Sequence, residues 1–412
     1  MSSNLAQEIE QLIQEESFDS NPYEVLKQMR EEAPIFWSNS MGGWLITKYE
    51  DVIRTFKETE DFGNAGRLGK AAEYLPESTR SKLFEFTKHY ETIGLLHSDP
   101  PEHDRLRGLV MKAFNPAAIK AMHARIQEIV DQILDVASTN SGMEVIRDLA
   151  WGLPSTVLAD LLDAPPESRE LFKNWADTLL AFQGSNKPDE HTLFKTQEAL
   201  IDSKKYLTDL IQQRKKNPGD DLLSSLVLAE LEGEKLNHDE LLNTCITLLA
   251  AGQETTTALI GNMILILGQD PVLLSKIRND RSLIPQTIEE IVRFESPIPR
   301  QPRLIRRDIT ISGVKMKKGD IAFQMLNSAN RDPDIFENPD SLNINRKPNK
   351  HLGFGVGAHY CVGAPLSRLE ATIVLNSMLD RYSKIELIDE KVVWDTRKRN
   401  SRVLKKLSVN LG

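Results

Sequence analysis

HLGFGVGAHYCVG, residues 351–363, decides how this chain is read. Three glycines, Gly353, Gly355 and Gly357, fall in five positions, followed by a lone cysteine, Cys361, and then Gly363. A backbone this free of side chains enters conformations that other residues are denied, and its amides can converge on an anion. APLSRLEATIVLNSMLDRY follows, with helical spacing, so the sulfur lies at a helix N-terminus, where the dipole favours negative charge. Both effects predict a lowered thiol pKa and a thiolate suited to a soft metal. On the residues alone, three other readings stand: a buried structural cysteine, a zinc site through His359 and Cys361, and a catalytic nucleophile. No second Cys/His pair at zinc spacing is present, and Cys361 by itself shows no base.

Upstream lies a long apolar run, TCITLLAAGQETTTALIGNMILILG, residues 244–268. It is long enough to cross a bilayer, but Gln253, Glu254 and three threonines sit at its middle, where polar groups are costliest. It reads as a helix buried on most sides at the centre of a large protein, opening near Asp239. Helical periodicity extends from Pro100 to about residue 290, with Asp99 before two prolines predicted as a helix start. Residues 61–97 read as a long loop holding one short helix. Trp44 to Thr47 reads as a strand. Residues 303–326 read as a hairpin turning at Ser312-Gly313, residues 327–360 as loop, and the tail from Lys384 as strand. The fold class is therefore mostly α with minor β at both ends of the chain, as a single domain over residues 1–412.

Of the 412 residues 40% are hydrophobic and 27% charged, an ordinary globular balance, and the net charge is −9. That balance argues against nucleic-acid binding. Arg397, Lys398, Arg399, Arg402, Lys405 and Lys406 crowd the C-terminus and read as a solvated face. Arg67, Lys70 and Arg80 read as solvated loop charges, with a substrate carboxylate as the alternative partner. Two distant cysteines imply no disulfide framework and a reducing, cytoplasmic setting. The polar, acidic N-terminus has neither region of a secretory signal.

The run Phe354-Gly-x-Gly-x-His-x-Cys361-x-Gly fixes six positions in ten and resembles the haem-binding loop of the cytochrome P-450 family. Three more landmarks follow the family's order. Glu290-Ile-Val-Arg293 precedes the loop, where the family buries such a pair against a meander. That meander is matched here by 329-ANRDP-333, Phe336, Pro339 and Arg346. The same E-x-x-R spacing at Glu77/Arg80, Glu102/Arg105 and Glu144/Arg147 shows that position, not spacing, carries this landmark. Ala251-Gly252-Gln253-Glu254-Thr255-Thr256 resembles the family's distal helix where it crosses the haem. Asp99-Pro-Pro-Glu-His103-Asp-Arg-Leu-Arg107 resembles the family's propionate-binding helix.

The resemblance runs from about residue 20 to the C-terminus and implies the cytochrome P-450 fold: a long distal helix over haem b, with small sheets at the periphery. Cys361 would ligate the iron, a thiolate that favours O–O cleavage. Phe354 would pack on the proximal side, and Gly363 would let the following helix approach. His103, Arg107, Arg303 and His359 would hold the propionates. Ala251 and Gly252 would line the haem, with Gly252 leaving room for dioxygen in a locally distorted helix. Thr255 would hydrogen-bond the activated oxygen, and Glu254 would relay protons. Glu290 and Arg293 would be structural.

The implied activity is monooxygenation, hydroxylating or epoxidising an apolar small molecule of terpenoid, steroid, fatty acid or polyketide class, in secondary metabolism. Two electrons would come from NAD(P)H through a separate ferredoxin or flavodoxin and its reductase, docking by Arg105 and Lys112. No fused reductase, membrane span or nucleic-acid partner is expected. Thr247, Ala251, Ile298 and Pro299 are the candidate substrate-pocket residues. Thr247, Ala251 and Thr255 share one helical face. A peroxide-driven peroxygenase on the same fold and a non-catalytic haem sensor or carrier are the rival readings.

Overall fold

A computed structural model describes residues 3–185, 187–231, 236–388, 391–398 and 400–412. Its strands in chain order are β1 (Ile35–Ser38), β2 (Gly43–Ile46), β3 (Phe62–Gly63), β4 (Gly142–Glu144), β5 (Gln301–Ile305), β6 (Ile309–Ile311), β7 (Val314–Met316), β8 (Ile321–Gln324), β9 (Ile385–Leu387), β10 (Val393–Trp394), β11 (Leu404–Lys406) and β12 (Ser408–Leu411). The strand expected at Trp44 is β2. It pairs antiparallel with β1 and parallel with β8, placing Trp44 opposite both Trp37 and Ala322. The resulting sheet runs β1-β2-β8-β5-β3 and joins residues 35–63 to residues 301–324. The β6–β7 hairpin turns at Ser312 and Gly313, both at positive φ, as a two-residue hairpin turn requires. A second sheet, β4-β12-β9, ties the tail to the helical part.

Helices fill most of the chain from residue 102 to 294. The central helix, His238–Gln269, is buried along most of its length, which explains a sequence apolar on nearly every face. It opens one step earlier than expected. Asn237, not Asp239, is the cap, accepting from the Glu240 N–H at 2.9 Å while Glu240 reaches back to the Asn237 N–H at 2.9 Å. Among the described residues no single helix is long and apolar enough to cross a membrane.

Two local expectations are corrected. Residues 61–97 hold more than one short helix: a 3-10 turn at Gly69–Ala72, then helices Glu77–Arg80 and Phe84–Glu91. The last forms because Phe86, His89 and Tyr90 fall on one face and are buried together. Asp99 caps nothing with its side chain. The helix starts at Glu102, and the Asp99 carboxylate instead accepts from the amides of Asn64 (2.9 Å) and Ala65 (2.9 Å) and pairs with Arg306.

Candidate active site

The cysteine loop is shaped by its glycines. Gly355 and Gly357 sit at φ +70° and +76°, where a side chain would be strained. Gly353 is needed for contact rather than conformation: a Cβ there would come within 2.3 Å of Val292 on the helix Ile284–Phe294. The Cys361 N–H donates to the Phe354 carbonyl at 2.9 Å, closing the loop before the helix Ala364–Arg381. The thiol itself departs from expectation. Burial pushes its pKa up, although the amides of Gly363 and Ala364 and the guanidiniums of Arg368 and Arg107 pull the other way. These groups need the charge of a bound cation to complete ionisation. Phe354 lies under the Arg368 guanidinium, 4.3 Å from ring centroid to Cζ.

The E-x-x-R pair anchors this loop. Glu290 and Arg293 are fully buried and joined by two hydrogen bonds of 2.9 and 2.8 Å. Arg293 also donates to the carbonyls of Asn330, Pro339 and Ser341, and Arg346 lies 3.3 Å from Glu290. The 327–360 loop is thus held by side chains in place of a ladder. Sequence reasoning missed the neighbouring bridge. Glu289 binds Arg368 at 2.6 and 2.9 Å and His351 at 3.0 Å, fastening the same helix to both sides of the cysteine loop.

The predicted propionate residues do gather, as a group of bases. His103 and His359 stack with ring centroids 4.0 Å apart. His103 is fully buried, its Nε2 has no partner, and burial lowers its pKa to about 4. Arg303 is buried. Its one side-chain hydrogen bond among the described residues goes to the Pro302 carbonyl at 3.0 Å, and burial brings its pKa down to about 10. Arg107 forms no ion pair among the described residues, and burial lowers its pKa too. His359 has Asn64 at 3.3 Å and Asp99 at 3.8 Å. Asp99 already serves Arg306. Buried cations left without anions are unstable unless a ligand brings negative charge.

On the central helix, Glu254 is buried and bound by Lys398 at 2.8 Å and by the Ser401 hydroxyl. Lys398 also reaches Asp177 at 3.1 Å, on the helix Ser168–Gly184. Burial alone would lower the Lys398 pKa, but Glu254 and Asp177 outweigh it and hold the amine charged. The C-terminal basic cluster is therefore a solvated face only in part: Arg397, Lys405 and Lys406 are exposed, while Lys398 is half-buried and Arg402 is buried on Glu295 at 2.6 Å. Arg399 lies outside the described residues. The Thr255 hydroxyl donates to the Ala251 carbonyl at 2.9 Å, leaving its oxygen able to accept.

The model of the cytochrome P450 family matches residues 67–411. The chain belongs to the cytochrome P450 family. It is 35% identical over 379 residues to the polyketide biosynthesis cytochrome P450 PksS of Bacillus subtilis, covering 90% of each chain. It is 37% identical over 377 residues to the biotin biosynthesis cytochrome P450 of the same organism, covering 90% of this chain and 92% of that one. Among solved structures, P450BioI in complex with an acyl carrier protein bearing hexadec-9Z-enoic acid superposes with TM-score 0.87 at 35% identity, over 96% of this chain and all (100%) of that one. CYP109E1 from Bacillus megaterium in complex with testosterone superposes with TM-score 0.86 at 30% identity, over 97% of this chain and 100% of that one.

A P450 carries haem, and the residues here fit it. The orphaned His103 nitrogen and the unpaired Arg107 and Arg303 match two propionates, and the glycine loop presents Cys361. A zinc site finds no support, since no three His, Cys, Asp or Glu side chains gather at one point among the described residues. Three details of the P450 reading change. The central helix is α-helical throughout 238–269, so the expected distortion beside Thr255 is not seen. The Cβ that Gly252 lacks would strike Leu158 at 2.9 Å, so this glycine admits the neighbouring helix Gly152–Leu161. Gly363 has only ordinary clearance, 3.9 Å from a built Cβ to the Cys361 sulfur.

The candidate pocket residues separate. Thr247 and Ala251 line a cavity with His89, Tyr90 and His97, whereas Pro299 lines another depression with Trp394 and Lys398. Ile298 packs at the edge of the core under the larger sheet. Of the expected docking residues, Arg105 is tied to Glu240 and partly exposed, and Lys112 is exposed.

Proposed function

We propose that this P450 monooxygenase inserts one oxygen atom from dioxygen into an apolar small molecule, by hydroxylation or epoxidation. Two electrons come from NAD(P)H through a separate ferredoxin or flavodoxin with its reductase. The observation that carries the reading is the pairing of a glycine-cradled Cys361 with a buried Glu254 and Thr255 on the central helix. Bound haem would supply dioxygen activation, with the Cys361 thiolate as its electron-donating ligand. His103, Arg107, Arg303 and His359 would hold it by its propionates, and Phe354, Ala251 and Gly252 would flank it. Thr255 can accept a hydrogen bond in the pocket and pass a proton on. Glu254 is the acid behind it, linked toward the surface by Lys398 and Asp177.

The proton path favours dioxygen over peroxide as the oxidant, because a peroxide-driven site needs less of it. It also argues against a haem sensor or carrier, which needs none. Relatives named for biosynthesis agree with a role in making a secondary metabolite. One of these, the cyclomarin C epoxidase CymV of Salinispora arenicola, is 36% identical over 366 residues. The test is the absorbance spectrum of the reduced protein under carbon monoxide, for wild type and Cys361→Ala. A strongly red-shifted Soret band in wild type, absent from the variant, is expected. Turnover with redox partners and NAD(P)H then separates the monooxygenase from its rivals. Full activity on peroxide and none on redox partners would sink it.

A further inference from the structure

The cysteine loop carries a cation that the propionates leave unused. Arg368 stands on the helix Ala364–Arg381, and its guanidinium is fixed at three points around the loop. It lies 4.3 Å from the ring centroid of Phe354, the residue whose carbonyl takes the Cys361 N–H at 2.9 Å. It donates at 3.1 Å to the hydroxyl of Tyr360, the residue next to the cysteine. It grips Glu289 on the helix Ile284–Phe294 through two hydrogen bonds of 2.6 and 2.9 Å. A planar fork held in this way leaves its charge little freedom to move.

Among the described residues, Glu289 balances this charge and no other. His351 also meets Glu289 at 3.0 Å through Nε2, but its Nδ1 accepts the Gly353 N–H at 3.2 Å. A ring that accepts at one nitrogen and donates at the other is neutral. The bridge is therefore one cation and one anion, their side chains 32% and 31% exposed. Holding the loop does not by itself require this pair. The buried Glu290 and Arg293, with Arg346, already fasten the 327–360 segment. What the second bridge adds is a fixed charge beside the sulfur, and Arg368 is among the groups that favour the Cys361 thiolate over the thiol.

We propose that Arg368 acts through Cys361 as a positioning residue: its guanidinium weakens electron donation by the thiolate and raises the reduction potential of a bound haem, and Glu289 limits that effect. This rests on the haem-thiolate reading and adds to it the pair that tunes the ligand. A positive charge beside the sulfur favours the reduced iron, whose site carries one positive charge fewer. Groups behind a metal ligand set its electronics in this way. Glu289 supplies the opposite field from the other half of the bridge, so the potential follows the difference between the two.

The experiment is a spectroelectrochemical titration of the haem-loaded full-length protein at fixed pH and ionic strength, for wild type, Glu289→Gln, Arg368→Gln and the double variant. Glu289→Gln leaves the guanidinium unbalanced and is expected to raise the potential. Arg368→Gln leaves the carboxylate unbalanced and is expected to lower it. Each shift should reach up to about tenfold in the one-electron equilibrium, or about 59 mV. The double variant should return close to wild type. Loss of a bridge that only holds the loop would move both single variants the same way, and that result overturns the proposal, as do two unmoved potentials. Arg368→Lys keeps the charge but loses the fork. It should hold a potential close to wild type at reduced stability, and a displaced potential overturns the proposal even where a glutamine variant fails to bind haem. A wild type lacking the red-shifted carbon monoxide band would overturn the haem-thiolate reading itself, a distinct outcome.

Discussion

Glu289 shows how one side chain can govern the thiolate loop without being part of it. Burial alone would raise its pKa, but hydrogen bonds from Arg368 and His351 outweigh this and bring it down to about 2, from an ordinary 4.5. A folded-state pKa below the unfolded one stabilises the fold fully above the ordinary value and is lost as pH falls through the lower one. Glu289→Gln is therefore expected to cost about 2 kcal/mol at neutral pH. It should also flatten the loss of stability that wild type shows between pH 4.5 and about 2, as followed by denaturant unfolding at a series of pH values. Equal slopes would show that the bridge contributes nothing. The sequence announces Cys361 and its glycines because their chemistry is local: one loop, one backbone shape, one helix start. It is silent on Glu289 and Arg368, since an acid and a base 79 residues apart meet only in the fold.

At the level of elements, the central helix is held from both ends and from its middle. Asn237 and Glu240 fix its start, and Asp270 ends it by opening the next helix. Thr256 meets Ser367 at 3.1 Å on the helix that follows Cys361. The middle is gripped through Glu254, which Lys398 joins to Asp177. Helix type and burial were legible here, because an all-round apolar run has few other homes. The grip was not, because Lys398 sits in a stretch whose composition looks like surface. Lys398→Met removes the ammonium that pairs with Glu254. It should lower stability by about 1–3 kcal/mol, read by denaturant unfolding, and lower the product formed per NAD(P)H consumed. An unchanged yield would separate Lys398 from the proposed proton path.

Across the whole molecule, the peripheral sheets and the helical bulk were readable from periodicity, while the bases that converge on the haem site were readable only through the family's motif order. That convergence has a thermodynamic consequence. Half-buried Arg67 and Arg107 and buried Arg303 form no ion pair with a carboxylate among the described residues. The haem-free protein must carry that repulsion, and a ligand that binds only the folded state relieves it. Haem extraction is expected to lower the midpoint of thermal unfolding, and Arg107→Gln to narrow the gap between haem-free and haem-loaded protein, both by calorimetry. A gap unchanged by the substitution would remove Arg107 from the propionate contacts. The grip on Glu254 also sets an order in time. Its partners lie at residues 398 and 401, and β12 at 408–411 closes onto β4 at 142–144. A ribosome builds the distal acid some 140 residues before the amine that steadies it. A chain still being synthesised thus has the whole sequence of its central helix long before the side chains at 398 and 401 that grip its middle.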